Sequence, residues 1–158
     1  MNTVNTVMDL LDEKMRAGRS RPGAGCGPIG TTPDATVREA TRLMNDHGIG
    51  SLVVMRGRRL AGIFTERDVL RRVVADSRSP DTTLVAEVMT IDVLCCSPSC
   101  TIDDVAEQMW RHRVRHVPVL DDGGDVVGMV SIGDVNVHRH AQCELALHHM
   151  EQYVHGRT

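Results

Sequence analysis

Apolar residues follow two arrangements along this chain, and the pair of arrangements occurs twice. Residues 37–44 and 102–109 carry apolar side chains three and four positions apart, the spacing of one helix face. Each stretch precedes two short apolar runs separated by polar turn residues, 49–55 with 60–64 and 114–120 with 126–130. Such runs predict paired strands, and a closing helix follows at Thr65 or Ser131. With a short strand before each of Pro33 and Pro98, the order is β-α-β-β-α, twice.

The second occurrence of this pair of arrangements is a copy of the first. At an offset of 65 residues, Pro33 falls on Pro98 and Met44 on Met109. After a one-residue insertion in the second hairpin, residues 62–68 fall on 128–134. Two units of about 60 residues indicate an internal duplication. A hairpin with helices on one face buries itself poorly alone, so we expect the two copies to pack sheet to sheet.

Two further segments lie outside the repeats. The apolar residues between Val4 and Met15 and between Leu147 and Val154 have helical spacing, which predicts extra N- and C-terminal helices. Residues 19–27 are rich in glycine and proline and predict a flexible loop. The expected fold class is therefore α/β (α+β), with an N-terminal helix and loop (1–27), a first repeat (28–87), a second repeat (88–145) and a C-terminal helix end (146–158).

Composition and charge reduce the number of possible functions. Aromatic residues make up 2% of the chain, which disfavours the stacking platforms of single-strand nucleic-acid binding. The net charge of −3 divides into +4 for residues 1–79 and −7 for residues 80–158, so no uniform polyanion-binding face is expected. The sequence predicts neither a signal peptide nor a membrane span. Its five cysteines, an odd number, favour reduced thiols and a cytoplasmic location.

Each repeat resembles a CBS domain, and the tandem resembles a stand-alone bacterial CBS pair, or Bateman module. The strings that carry the resemblance are Gly62-Ile63-Phe64-Thr65-Glu66-Arg67-Asp68-Val69, Val88-Met89-Thr90, Val114-Arg115-His116-Val117-Pro118-Val119 and Gly128-Met129-Val130-Ser131-Ile132-Gly133-Asp134-Val135. The resemblance implies a regulatory module that binds an adenine nucleotide (AMP, ADP, ATP or NAD) in a cleft between the repeats and changes shape. It also implies a homodimer that signals to a separate, unknown protein target, with no catalytic activity and no catalytic cofactor.

The resemblance also implies a role for individual residues. Asp68 and Asp134 would accept bonds from ribose, as suits carboxylates, which only accept. The residues implied for phosphate are Thr65, Arg67, Ser131, Arg115 and His116. The residues implied for the adenine pocket are Ile29, Ile49 and Ile63 in one copy and Leu94, Val114 and Met129 in the other. Thr65 and Ser131 stand where a helix begins, and its free N–H groups suit an anion.

Plainer interpretations of the same residues stay open. Thr65 with Asp68, and Ser131 with Asp134, match helix-capping pairs. The apolar pocket residues could be ordinary core. Arg115 and His116 could be solvated, and their matches in the first repeat, Gly50 and Ser51, carry no charge, which puts equal binding at both sites in doubt. Arg67 could supply a cation to the first site.

Two other functions compete with nucleotide binding. One is a structural or protein-interaction dimer with vestigial pockets and no ligand. The other is a metal or redox sensor built on the residues His138, His140, Cys143, His148 and His149. These lack the ligand spacing of a zinc site, as do Cys95, Cys96 and Cys100. The acidic run 121–125 lacks a calcium-loop frame and predicts a hairpin turn.

Overall fold

The computed structural model describes residues 5–17 and 27–155. The helices are α1 (Val7–Arg16), α2 (Val37–His47), α3 (Glu66–Asp68), α4 (Val85–Val88), α5 (Ile102–His112) and α6 (Ile132–His155). The strands are β1 (Gly30–Thr31), β2 (Ser51–Arg56), β3 (Arg59–Thr65), β4 (His116–Leu120) and β5 (Val126–Ser131). A wider π-helical segment, Val69–Val74, continues α3. The predicted β-α-β-β-α order is confirmed in the first repeat, whereas the second repeat has only a single bridge in place of its first strand.

Local capping chemistry sets where the equivalent helices α2 and α5 begin and end. The Thr36 hydroxyl accepts from the backbone N–H of Glu39, and the Glu39 carboxylate accepts from the backbone N–H of Thr36, which makes a full capping box. Thr101 caps α5 through the Asp104 N–H at 3.1 Å. Helix α2 ends at Gly48, whose φ of 61° lies in the left-handed region that glycine adopts without strain.

The strands form two small sheets. In the first, β2 pairs parallel to β1 and antiparallel to β3. In the second, β4 pairs antiparallel to β5, and Cys96 supplies the single parallel bridge beside it. The sheets meet at their hairpins, where the backbone N–H of Val126 donates to the Arg58 carbonyl at 3.1 Å and Asp125 pairs with the Arg58 guanidinium at 2.8 Å.

Each repeat has its own hydrophobic core. The first contains Phe64 and the second Ile102, and both side chains are almost fully buried. The residues that complete each core come from outside the hairpin and its first helix: Val85 and Val88 of α4 in the first repeat, and Val7 and Leu10 of α1 in the second. Val53 and Ile63 are also buried but lie on the opposite face of the first sheet from Phe64.

Both predicted terminal helices are present, and the structure shows how each joins the fold. The predicted C-terminal helix is no separate element: it is the second half of α6, which runs unbroken for 24 residues from the second repeat. Helix α1 lies outside the repeats in the sequence, and its residues Val7 and Leu10 pack into the second core. The predicted loop falls outside the described residues, apart from Gly27.

Candidate functional site

The two Ser/Thr-x-x-Asp motifs lie at equivalent junctions between a strand and a helix. Asp68 Oδ2 accepts from the Thr65 backbone N–H at 2.8 Å and from its hydroxyl at 3.0 Å. Asp134 Oδ2 accepts from the same two groups of Ser131, both at 2.8 Å. Both acids therefore do act as capping residues, through one oxygen each. The second oxygen, Oδ1, takes no part in the cap, and at Asp68 it lies 3.7 Å from Arg72 Nη1.

A cleft of about 340 Å³ opens beside the first of these motifs. Its walls come from the first repeat, from the connecting segment and from the start of β4. The lining residues are Gly50, Ile63, Thr65, Glu66, Arg67, Asp68, Arg71, Arg72, Thr90, Asp92, Val93, Leu94, Val114, Arg115 and His116. The volume is within the range of small-molecule sites, near its lower end.

Eight sequence-predicted site residues come together in this cleft. They are Ile63, Thr65, Arg67, Asp68, Leu94, Val114, Arg115 and His116. The other five lie elsewhere. Ile29 and Ile49 pack against the first core, and Met129, Ser131 and Asp134 belong to the equivalent junction in the second repeat, which does not line this cleft. The binding role of all of these residues stays a prediction.

The cleft draws on both repeats, whereas the sequence grouped the pocket residues copy by copy. Ile63 and Thr90 form an antiparallel bridge, with N–H to carbonyl distances of 3.0 and 2.9 Å. This bridge carries the segment leading into the second repeat across the first repeat's sheet, so Leu94 lines the cleft with Ile63. The uncharged residues Gly50 and Ser51 therefore do not deprive the Asp68 site of cations, because Arg115 of the second repeat faces it.

Four guanidinium groups line the cleft, and they differ in how far the protein uses them. Arg72 Nη1 donates to the carbonyls of Val88 and Met89 at 2.9 and 2.8 Å and lies 3.7 Å from Asp68 Oδ1. Arg67 donates to the Arg113 carbonyl at 3.3 Å. The guanidinium groups of Arg71 and Arg115 make no hydrogen bond or ion pair with any described residue. Two cations of the cleft are thus free to meet an anion.

Burial controls the charge of His116. Desolvation lowers the pKa of this imidazole, an effect that the Asp134 and Glu66 carboxylates oppose and Arg115 and Lys14 reinforce. The neutral form is therefore favoured near pH 7, and the ring can act as either hydrogen-bond donor or acceptor.

Sequence reasoning missed Arg71 and Arg72. They follow Asp68 by three and four positions, the spacing that places side chains on one face of a helix. That spacing was a usable signal. Thr90, Asp92 and Val93 were missed because only the bridge to Ile63 brings them to the cleft.

The second junction has a different environment. The Lys14 ammonium of α1 lies 2.8 Å from Asp134 Oδ2 and donates to the Met129 carbonyl at 3.1 Å. Both side chains of this ion pair are mostly buried, with exposures of 21% and 14%. No pattern along the chain indicated this contact, since Lys14 and Asp134 are 120 positions apart.

The alternative metal and redox sites find little support in the described part of the chain. Residues 5–17 and 27–155 contain no cluster of three His, Cys, Asp or Glu side chains able to hold a metal ion. Burial raises the pKa of Cys96 to about 12, so its thiol is neither a ready ligand nor a nucleophile. The acidic run is a hairpin turn, as predicted: Asp121 Oδ1 accepts from the Asp125 N–H at 2.9 Å.

Comparison with known proteins matches the two repeats to one family. The family model described as CBS domain matches residues 27–75 and 85–138. The CBS domain-containing protein CBSX3, mitochondrial, of Arabidopsis thaliana is 35% identical over 159 residues, covering 96% of this chain and 72% of that protein.

Solved structures agree with this match. A CBS-domain containing protein from Agrobacterium tumefaciens is 34% identical, with a TM-score of 0.75 over 88% of this chain and 96% of its own. A CBS domain protein from Pyrobaculum aerophilum, solved in complex with AMP, is 25% identical, with a TM-score of 0.71 over 90% of this chain and 98% of its own. Among the helices of the described ranges, none is both long and apolar enough to cross a bilayer.

Proposed function

This chain belongs to the CBS-domain family, and we propose that it is a regulatory module that binds an adenine mononucleotide in the cleft beside Asp68. The observation that carries the proposal is the meeting, in one cleft, of a carboxylate, unpaired guanidinium groups and an apolar wall. These three features complement the ribose, the phosphate and the base of a nucleotide. The AMP complex of the Pyrobaculum protein supports the same ligand class.

The proposed pose assigns one part of the nucleotide to each wall. The ribose hydroxyls donate to Asp68 Oδ1, the oxygen that the helix cap does not use. The phosphate meets the guanidinium groups of Arg71 and Arg115, which have no other partner among the described residues. The base lies against Ile63, Leu94 and Val114, since the cleft offers no aromatic ring for stacking.

Size and charge favour some adenine ligands over others. A cleft of about 340 Å³ suits a mononucleotide better than the dinucleotide NAD. The lining arginines Arg67, Arg71, Arg72 and Arg115 outnumber the carboxylates of Glu66, Asp68 and Asp92. The positive excess disfavours S-adenosylmethionine, whose sulfonium is a cation, and favours phosphates. We therefore propose AMP, ADP or ATP as the ligand.

The proposed output is a change of shape rather than a reaction. The ligand would contact both repeats, so it stabilises the arrangement in which Asp68 and Arg115 face one another, at the expense of other arrangements. Arg67 and Arg115 also line a neighbouring surface groove that contains the exposed Trp110. A phosphate held by Arg115 would change the charge of that groove, which provides a route to a separate protein target in the cytoplasm. No catalytic step is proposed.

Calorimetric titration tests this proposal. We expect AMP to bind at least about tenfold more tightly than adenosine, because the phosphate gains charge-assisted hydrogen bonds worth roughly 1.5–3 kcal/mol. Arg115→Ala should remove much of that advantage, with Arg71 retaining the rest, and should leave adenosine binding nearly unchanged. Arg56→Ala, which removes the same charge at the exposed end of β2, is the matched control. Equal affinities for AMP and adenosine, or an unaltered Arg115→Ala variant, would refute the phosphate assignment.

A structural dimer with vestigial pockets is the second candidate. It is favoured by the apolar side chains that the second half of α6 exposes: Leu145, Leu147, Met150 and Tyr153, each more than half exposed. Such a surface suits association with a second copy, and a homodimer is compatible with either function. Light scattering that shows a dimer, together with no heat from any adenine ligand, would favour this candidate over nucleotide binding.

A further inference from the structure

Helix α1 is the structural counterpart of α4. In the first repeat, the Val85 N–H donates to the Ala35 carbonyl at 2.8 Å, which ties α4 to the residues just before α2. In the second repeat, the Val7 N–H donates in the same way to the Cys100 carbonyl at 2.9 Å, just before α5. The bridges Thr36↔Leu84 and Thr6↔Thr101 repeat the correspondence. The two helices therefore enter their repeats in the same register, with Thr6 matching Leu84.

The two counterparts differ in how they end. Helix α4 stops at Val88, and the Thr90 N–H then donates to the Ile63 carbonyl at 2.9 Å while the chain goes on to line the cleft. Helix α1 continues to Arg16. In the shared register, Lys14 takes the place of Asp92, a residue of the cleft wall.

Lys14 binds two groups of the second repeat, and each of them corresponds to a group that lies at the first cleft. Its ammonium donates to the carbonyl of Met129, which corresponds to the carbonyl of Ile63 that Thr90 satisfies. It also donates to the carboxylate of Asp134, which corresponds to Asp68. The ammonium binds Oδ2, the oxygen that also caps α6, and not the Oδ1 that we assign to ribose at Asp68. It therefore obstructs this position by lying beside the carboxylate and compensating its charge, since an ammonium has three donors and no acceptor.

Close packing holds α1 over this position. A Cβ on Gly128 of β5 would lie 2.6 Å from Leu11 Cδ1, so the helix lies directly against the strand. Val7 and Leu10 of the same helix are buried in the second core at 0% and 5% exposure. A nucleotide that approached Asp134 would have to displace a mostly buried ion pair on an anchored helix.

We propose that Lys14 occupies the second ligand position, so that each chain binds a single nucleotide, at Asp68. The number of nucleotides in this inference rests on the proposed function. The contact of Lys14 with Asp134, which carries the inference, does not depend on any ligand. Lys14 thereby determines how many nucleotides a chain binds. Helix α1, which lies outside the predicted repeats, makes the two Ser/Thr-x-x-Asp motifs unequal.

Titration with AMP, followed by calorimetry, tests the inference. We expect one AMP per chain for the wild type and two for Lys14→Ala. The second should bind roughly tenfold more weakly, because Gly133 and Val137 stand where the first cleft has Arg67 and Arg71. Arg16→Ala, which removes an exposed charge from the same turn of α1, should keep one site. Lys14→Gln serves as a second variant should the alanine variant fold poorly.

The outcomes separate this inference from the proposed function. Two sites in the wild type, or one site in both the wild type and the Lys14 variants, overturn the role of Lys14 alone. No binding to the wild type but one site in Lys14→Ala supports Lys14 and refutes the Asp68 cleft. No binding to either protein refutes both. The double variant Lys14→Ala/Asp134→Ala should return to one site, and two remaining sites would contradict the assignment to Asp134.

Discussion

The two Ser/Thr-x-x-Asp junctions have the same local structure and opposite surroundings. Asp68 and Asp134 both cap a helix with Oδ2 at distances of 2.8–3.0 Å. Asp68, however, faces a cleft with unpaired arginines, whereas Asp134 is held by Lys14 of α1. A repeated motif thus determines the local backbone, and the segment packed against it determines whether the acid is open to a ligand.

Helix α1 is the main source of this difference, and a variant that weakens its packing in the second core should have the largest effect on stability. Leu10 is 5% exposed in the second core, so Leu10→Ala should lower the free energy of unfolding by about 2–5 kcal/mol. Met8→Ala, on the same helix but 48% exposed, should lower it by less than about 1 kcal/mol. Urea unfolding measures both values. Equal effects for the two variants would mean that α1 does not complete the second repeat.

The equivalent glycines of the two repeats should respond differently to an added methyl group. A Cβ at Gly62 would lie 2.6 Å from the Thr90 carbonyl oxygen, a backbone atom fixed by the bridge to Ile63. Gly62→Ala should therefore cost about 1–3 kcal/mol of unfolding free energy. Gly128→Ala meets the end of the Leu11 side chain, which can rotate, and should cost less. Thermal unfolding of both variants gives the comparison, and a costlier Gly128→Ala would contradict it.

The smallest expected effect concerns pH. Because burial lowers the pKa of His116 in the folded state, the unfolded chain takes up a proton first as the pH falls below the ordinary value of about 6.5. The stabilisation is thus present above that pH and is lost as the pH falls through the folded pKa. Melting temperatures at pH 7.5 and 5.5 should differ less for His116→Gln than for the wild type. The exposed His149→Gln is the control, and an identical drop in all three proteins would refute this role of His116.

Much of the fold could be predicted from the sequence, because capping residues and apolar spacing act locally. Thr36 with Glu39 begins α2 and Gly48 ends it, and all three residues lie within the helix or next to its ends. The duplication likewise identified Asp68 and Asp134 as equivalent. The unequal surroundings of the two acids could not be predicted, since they depend on the contact of Lys14 with a residue 120 positions away.

The sequence also did not predict that both repeats line the cleft. The alignment of the two copies matches Ile63 with Met129, whereas the backbone bridge to Thr90 joins Ile63 to the segment that leads into the second repeat. Arg115 therefore faces the acid of the other repeat. The sequence pattern reveals the repeated unit, but it does not reveal which residues of one repeat contact the other.

The central claim, that the two acids are unequal, is tested most directly by calorimetric titration of AMP into Asp68→Ala and Asp134→Ala. The claim predicts at least a tenfold loss of affinity for Asp68→Ala, from the loss of hydrogen bonds to a charged group. It predicts less than about a twofold change for Asp134→Ala, with circular dichroism confirming that both variants fold. Equal losses in the two variants, or unchanged binding in Asp68→Ala, would contradict it.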